Sequence, residues 1–256
     1  MKFETVIRWV AAVVLASSLS TFAVGSPKDK EKKDKAKPEA AQTVDSGSFG
    51  VFVKGQRVAT ETFHIEQANG VSTIKSQLKE TAGSDPVTQK SNLEITPGGD
   101  LLRYEWSQSS GGSLTVIPKN DFLSETITAP GSTKAAEKPF LLPATSSILD
   151  NNFFIHREVL IWRFLAADCK NEAGGLKCQQ EPATFGVLVP QDQTSMSLRI
   201  SRVGKEKINI RGTQRELLRL SLAGESYEWA LWVDDQDHFK LIQVAIPADN
   251  TEVVRD

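Results

Sequence analysis

The chain has 256 residues, of which 39% are hydrophobic and 24% charged, and its formal net charge is -2. That is ordinary material for one large globular domain or two small ones. The near-neutral balance gives no electrostatic reason to expect nucleic acid as a partner.

The N-terminus carries a targeting pattern. Lys2 and Arg8 flank the start of an apolar stretch, WVAAVVLASSLSTFAV, and Ala23-Val24-Gly25 offers small residues where a signal peptidase reads. The expectation is a cleaved secretory signal over residues 1–25. The alternative is an uncleaved membrane anchor, favoured by the six lysines between Lys28 and Lys37, since cationic residues normally stay on the cytoplasmic side. Ser17, Ser18, Ser20 and Thr21 interrupt the apolar run and argue against a spanning helix. Residues 26–45 are rich in Lys, Asp, Glu, Ala and Pro, too polar to bury a core, and read as a disordered leader. Membrane contact is expected at most through this leader.

From residue 46 the apolar period is mostly two, the mark of strands with one buried face. GSFGVFVK, RVATETFHIE and VSTIKSQLKE follow one another across Lys54-Gly55-Gln56 and Ala68-Asn69-Gly70, and KSNLEIT, LLRYEWSQ, SLTVIP and FLSETIT continue the pattern. Residues 129–145, with three prolines, read as an irregular connector. In SSILDNNFFIHREVLIWRF, Ser147 and Asp150 match a helix cap. Leu149, Phe153, Leu160 and Phe164 recur near helical spacing from Ile148 to about Ala166, and Phe154, Ile161 and Leu165 widen that stripe. This predicts a core or lid helix, and makes Phe153, Leu160, Trp162 and Phe164 the candidate ligand-binding residues.

Cys169 and Cys178 flank KNEAGGLK, where Gly174-Gly175 signals a turn, so a disulfide across a hairpin is expected in an exported chain. No histidine lies near enough in sequence to complete a metal site. Strands return at ATFGVLVP, SMSLRISRV, EKINIR, RELLRLSL, YEWALWV, HFKLIQVAIP and TEVVR, with Asp234-Asp235-Gln236-Asp237 as a hairpin turn. The fold class expected is mainly β (α+β): two antiparallel meanders forming a curved sheet or half-barrel around one long helix, in a single domain over residues 46–256.

GQRVATETFHI (Gly55 to Ile65), SSILDNNFF and WVDDQDHFKLIQVAIP (Trp232 to Pro247) give an order that resembles uncharacterised secreted bacterial domains and, more distantly, the half-barrel of the Lol lipoprotein carriers. The resemblance implies a curved antiparallel sheet wrapped around a helix, an arrangement the carriers use to hold acyl chains. Its motifs are hydrophobic patterns, so no functional residue is carried over.

Catalytic signals are sparse. His64, His156 and His238 fall on three different elements, and neither Gly-x-Ser-x-Gly nor His-Glu-x-x-His occurs. His64 and His238 read as surface positions, and His156 as a helix histidine bonded to a neighbouring backbone or carboxylate group. On that reading, its removal leaves any ligand affinity nearly intact. Alternation places Glu61 inward, where a carboxylate needs a partner or a raised pKa; Arg103 and Arg199 are the candidate partners, with an outward bulge as the alternative. No second carboxylate stands opposite it for a glycosidase pair. The expectation is therefore an exported, periplasmic or extracellular, non-catalytic domain with no cofactor. It holds an apolar small molecule or, alternatively, serves as a structural or protein-interaction module of the cell envelope.

Overall fold

The structure is a computed structural model that describes residues 40–81, 86–172, 175–179 and 182–256. The expected signal over residues 1–25 lies outside the described residues, as does most of the leader. Pro38–Asp256 forms one compact unit.

The elements in chain order are β1 (Gln42–Val53), β2 (Gln56–Ala68), β3 (Val71–Glu80), β4 (Thr88–Ile95), β5 (Leu101–Gln108), β6 (Ser113–Lys119), β7 (Phe122–Thr128), β8 (Ala135–Phe140) and β9 (Ser147–Ile148). Then come α1 (Ile155–Asp168), β10 (Cys169–Glu172), β11 (Gly175–Cys178), β12 (Ala183–Val189) and β13 (Thr194–Ile210). The chain ends with β14 (Thr213–Ala223), β15 (Glu228–Asp234), β16 (Lys240–Ile246), a 3-10 turn at Pro247–Asp249, and β17 (Thr251–Arg255).

Fifteen strands form one sheet in the order β8-β7-β6-β5-β4-β3-β2-β1-β17-β16-β15-β14-β13-β12-β9, and β10 pairs with β11 separately. Every pairing is antiparallel except the short β9–β12 ladder, which is parallel. The first and last strands meet at Phe49↔Arg255 through Val53↔Thr251, which splices the sequence-local pairings of the two halves into one sheet. Its edge strands β8 and β9 are not paired with each other, so the sheet is not closed into a barrel.

Local chemistry sets these hairpins. Lys54-Gly55, Asn69-Gly70 and Arg211-Gly212 all have positive φ at both positions, the two-residue turn whose twist matches paired strands. Along β2, Ala59, Glu61, Phe63 and Ile65 are buried while Thr60, Thr62 and His64 alternate outward. The same face continues in Ile74 and Leu78 of β3, Leu93 of β4 and Tyr104 of β5. Against it packs α1, whose Ile155, Ile161 and Phe164 are fully buried.

Several expectations need correction. The disordered leader was expected to reach residue 45, but β1 starts at Gln42, and Asp45 is buried against Arg255 at 2.5 Å. That ion pair gives the polar segment a reason to order. The connector over residues 129–145 contains β8, an edge strand where Pro139 is tolerated. The helix begins at Ile155, not Ile148: Ser147 and Ile148 extend the sheet as β9, and Phe154 precedes the helix without a side-chain cap of its own. SMSLRISRV and EKINIR are one strand, β13, with a bulge between Arg202 and Gly204, where φ is 140°. The disulfide is present, joining the paired Cys169 and Cys178 at the end of the β10–β11 hairpin. Gly174 of the expected turn lies outside the described residues. Asp234 to Asp237 form the expected turn. Among the described residues no helix is long and apolar enough to cross a membrane.

Leu160 is 2% exposed in the helix–sheet core. Leu160→Ala should lower stability by about 2 to 5 kcal/mol, read as a shifted urea midpoint at constant m-value. A loss below about 1 kcal/mol would mean that this face of the helix carries little of the packing.

Candidate ligand cavity

The start of α1 lies inside the protein, so its amides need partners that water cannot provide. Glu61, on β2, provides two of them: its carboxylate accepts from Phe154 N at 2.6 Å and Ile155 N at 3.3 Å. Ser76 on β3 donates its hydroxyl to the same carboxylate at 2.7 Å. His156 N and Arg157 N close tight turns onto Phe153 O and Phe154 O. Glu61 is thus inward, as expected, yet its partners are a helix start and a serine. Arg103 instead pairs with Glu105 on the surface. Burial raises the Glu61 pKa to about 7, opposed by these hydrogen bonds and by the positive Arg157.

Arg157 is fully buried and lies over the rings of Phe154 and Trp229, 4.9 and 4.7 Å from their centroids. Its Nη1 donates to Phe153 O at 2.7 Å and also to Asp150 O. Burial lowers its pKa to about 10, with Asp150 and Glu61 acting in the opposite direction. Asp150 accepts from Asn152 N at 2.7 Å, from the Tyr104 hydroxyl on β5 and from Gln191 in the β12–β13 turn. Asn152 Nδ2 and Trp106 Nε1 both donate to Gln89 Oε1 at 2.9 Å. The loop before the helix is therefore fastened to β2, β4, β5 and the β12–β13 turn. Ser147, expected as a cap, instead accepts from Arg163 Nη1 at 2.9 Å.

One flank of α1 is held as firmly. Glu158 Oε2 accepts from Leu241 N at 2.6 Å and from Arg255 Nη1 at 3.0 Å, tying the helix to β16 and β17. Burial pushes the Glu158 carboxyl well above the usual carboxylate range, and hydrogen bonding to Asp45 adds to the shift.

The other flank leaves a space against the sheet, bridged where Arg163 Nη1 donates to Gly99 O at 3.4 Å. Between α1 and β2–β5 lies a cavity of 470 Å³, walled by Ile65, Ile74, Leu93, Ile95 and Leu101 from the strands and by His156, Val159, Leu160, Trp162 and Arg163 from the helix. That volume is in the range of small-molecule sites. Its wall is graded. Leu101, Ser146, Ile148, His156 and Leu160 are at most 4% exposed and belong to its buried wall. Gln67, Pro97, Gly98, Ala166 and Ala167 are exposed and form the mouth. His156 and Ala167 are roughly 16 Å apart along the helix axis at the usual rise per residue. A 730 Å³ groove on the opposite face is open and lined by polar residues such as Lys75, Lys90 and Glu105, and so is less suited to enclosing a ligand.

Of the four candidate residues, Leu160 and Trp162 line the cavity. Phe153 and Phe164 do not: both are fully buried in the core. His64 is half-exposed, 3.8 Å from Glu66, and so has the surface place expected of it. His156 has the expected backbone bond, with Asp150 N donating to Nδ1 at 3.4 Å. It also lines the cavity, a placement that no local pattern in the sequence reports. No cluster of three or more metal-ligating side chains occurs among the described residues. The arrangement offers a shaped apolar space with few polar groups, suited to binding.

Glu125 on β7 is fully buried, and neither carboxylate oxygen has a hydrogen-bond partner among the described residues. Burial raises its pKa to about 7, opposed by Lys138.

Two predictions follow from these carboxylates. Glu61→Ala strands the Phe154 and Ile155 amides and the Ser76 hydroxyl, and should cost about 3 kcal/mol in denaturant unfolding. Glu61→Gln, which keeps one acceptor, should cost less; equal losses would contradict the capping role. For Glu125, the folded pKa of about 7 exceeds the ordinary 4.5. Its stabilising contribution is thus complete below pH 4.5 and lost as pH rises to about 7. Glu125→Gln should remove on the order of 2 to 3 kcal/mol of that decline, and stability curves at several pH values check it. An unchanged pH profile would show that Glu125 is ionised or solvated in the fold.

No protein-family model, no curated protein and no solved structure matches the chain.

Proposed function

We propose that the protein is a non-catalytic exported binding domain that encloses an apolar, chain-like ligand such as an acyl chain between α1 and the sheet. The observation that carries this reading is the 470 Å³ cavity, walled largely by apolar side chains, with Gln67, Pro97, Ala166 and Ala167 exposed at its rim. A largely apolar cavity with an exposed rim suits a flexible chain whose polar end stays near Arg163, which is half-buried in the wall. On this reading the sheet is a half-barrel of two meanders curved around α1, the architecture implied by the resemblance to the Lol carriers. Export is part of the proposal: the Cys169–Cys178 disulfide fits an oxidising compartment, and the signal pattern supplies the route.

A second reading, an interaction module of the envelope, has one observation of its own. Leu141 is 94% exposed directly after the edge strand β8, an apolar side chain beside unpaired backbone of the kind a partner strand can join.

Titration with a fatty acid separates the two. Trp162 lines the cavity and donates from Nε1 to Phe239 O at 3.3 Å, so filling the cavity should change its emission. Trp162→Phe assigns the signal. Ligand at a hundredfold excess over Kd should stabilise the fold by about 2.7 kcal/mol. Ala167→Trp, at the exposed mouth, should weaken binding without lowering the melting temperature of the free protein. A flat titration favours the filled-core reading. Export is checked by N-terminal sequencing of native protein, expected to begin near Ser26; an intact Met1 on membrane-embedded material would contradict cleavage.

A further inference from the structure

The cavity wall carries a charge of one sign only. Among the described residues that line it there is no Asp, Glu or Lys, and burial holds the His156 pKa down at about 3, so near neutral pH its one ion is the Arg163 guanidinium. That group is held in place from one end. Nη1 donates to Ser147 Oγ at 2.9 Å and to Gly99 O at 3.4 Å, and the guanidinium carbon lies 5.9 Å from the centre of the Phe185 ring. Nε and Nη2 have no hydrogen-bond partner among the described residues, and unlike the same two atoms of Arg157 they are not sealed off. Together they form one edge of the guanidinium, the fork that matches two oxygens of a carboxylate or phosphate. No protein carboxylate fills that fork: Asp100 acts on Arg163 through its charge alone, without a hydrogen bond.

Arg163 also stands next to the rim. Ala166 and Ala167, three and four residues on, share its side of the helix and are exposed, as is Gly98 beside the acceptor Gly99. By contrast, Ile65, Ile74, Leu93 and Leu160 in the same wall are at most 2% exposed. We infer that the ligand is an anionic amphiphile, a chain ending in a carboxylate or a phosphate monoester, whose head is held by Nε and Nη2 of Arg163 while the chain lies against Ile65, Ile74, Leu93 and Leu160. This rests on the cavity being an acyl-chain site and names the head that the site selects. A half-buried cation has given up part of its hydration without gaining an ion pair. An anionic head supplies that pair, with charge-assisted hydrogen bonds stronger than those a neutral alcohol can accept.

Laurate, dodecyl phosphate and 1-dodecanol share one chain length and differ in the head. Their affinities for the full-length wild type, Arg163→Met and Arg163→Lys are read by titrating Trp162 emission. Wild type should bind at least one of the anions about ten- to a hundredfold more tightly than dodecanol, and the tighter anion identifies the head. Arg163→Met should lose that preference while binding dodecanol as wild type does. Arg163→Lys, which keeps the charge without the fork, should retain part of it. If wild type favours neither anion over dodecanol, or if Arg163→Met keeps the preference or weakens all three probes equally, the inference is overturned while the acyl-chain reading survives. If wild type binds none of the probes, both fall. Should Arg163→Met not fold, the NMR signal of the Arg163 Nε–H group in wild type decides: a shift with laurate or dodecyl phosphate but not with dodecanol supports the contact, and equal responses to all three refute it.

Discussion

A helix that begins inside a protein must bring its unpaired amides to acceptors in the surrounding structure. In this molecule the acceptor is Glu61, a strand residue 93 positions earlier than Phe154 in the chain. Its carboxylate faces the positive end of the helix, with the Arg157 guanidinium contributing to the same local field. Pairing buried charges returns little net stability, because each loses its water. What it specifies is position: α1 can start at one place on the sheet only. From that fixed point, Asp150 gathers Tyr104 and Gln191, and Asn152 reaches Gln89, so both halves of the chain meet at the loop before the helix.

The cavity is a consequence of how unevenly that helix is held. Its N-terminal turn is fastened by Glu61, and one flank by Glu158 to β16 and β17. On the flank with Val159 and Trp162 the strands opposite present Ile65, Ile74 and Leu93 to an open space, which Arg163 spans by donating to Ser147 Oγ and to Gly99 O between β4 and β5. Close packing is the rule in protein interiors, so an apolar cavity with a mouth is a costly feature for a domain that needs only to fold. Occupation by a ligand removes that cost.

Much of the sheet was legible from the sequence because its signals are local. Alternation in RVATETFHIE and YEWALWV and the turns Lys54-Gly55 and Asn69-Gly70 depend on residues within a few positions of one another. The inward place of Glu61 followed from the same alternation. The helix start did not, because its cap is supplied from β2 and no local pattern can report it; Ser147 and Asp150 mimic a cap while serving Arg163 and Tyr104. β8 was hidden by Pro139 and by its exposed, charged residues, which suit an edge strand but carry no period. Among the candidate site residues, helical spacing alone could not say which side of α1 faces solid core and which faces a gap. Leu160 and Trp162 line the cavity, whereas Phe164, and Phe153 just before the helix, are buried in the core.

The central claim is that the space beside α1 is occupied in the cell. Native mass spectrometry of protein purified from its own cells without detergent tests it most directly. The account predicts a mass above that of the disulfide-bonded mature polypeptide by one lipid-sized molecule, lost on denaturation and recovered in the organic extract. A mass equal to the bare polypeptide, in protein that also takes up no fatty acid when one is supplied, would contradict it.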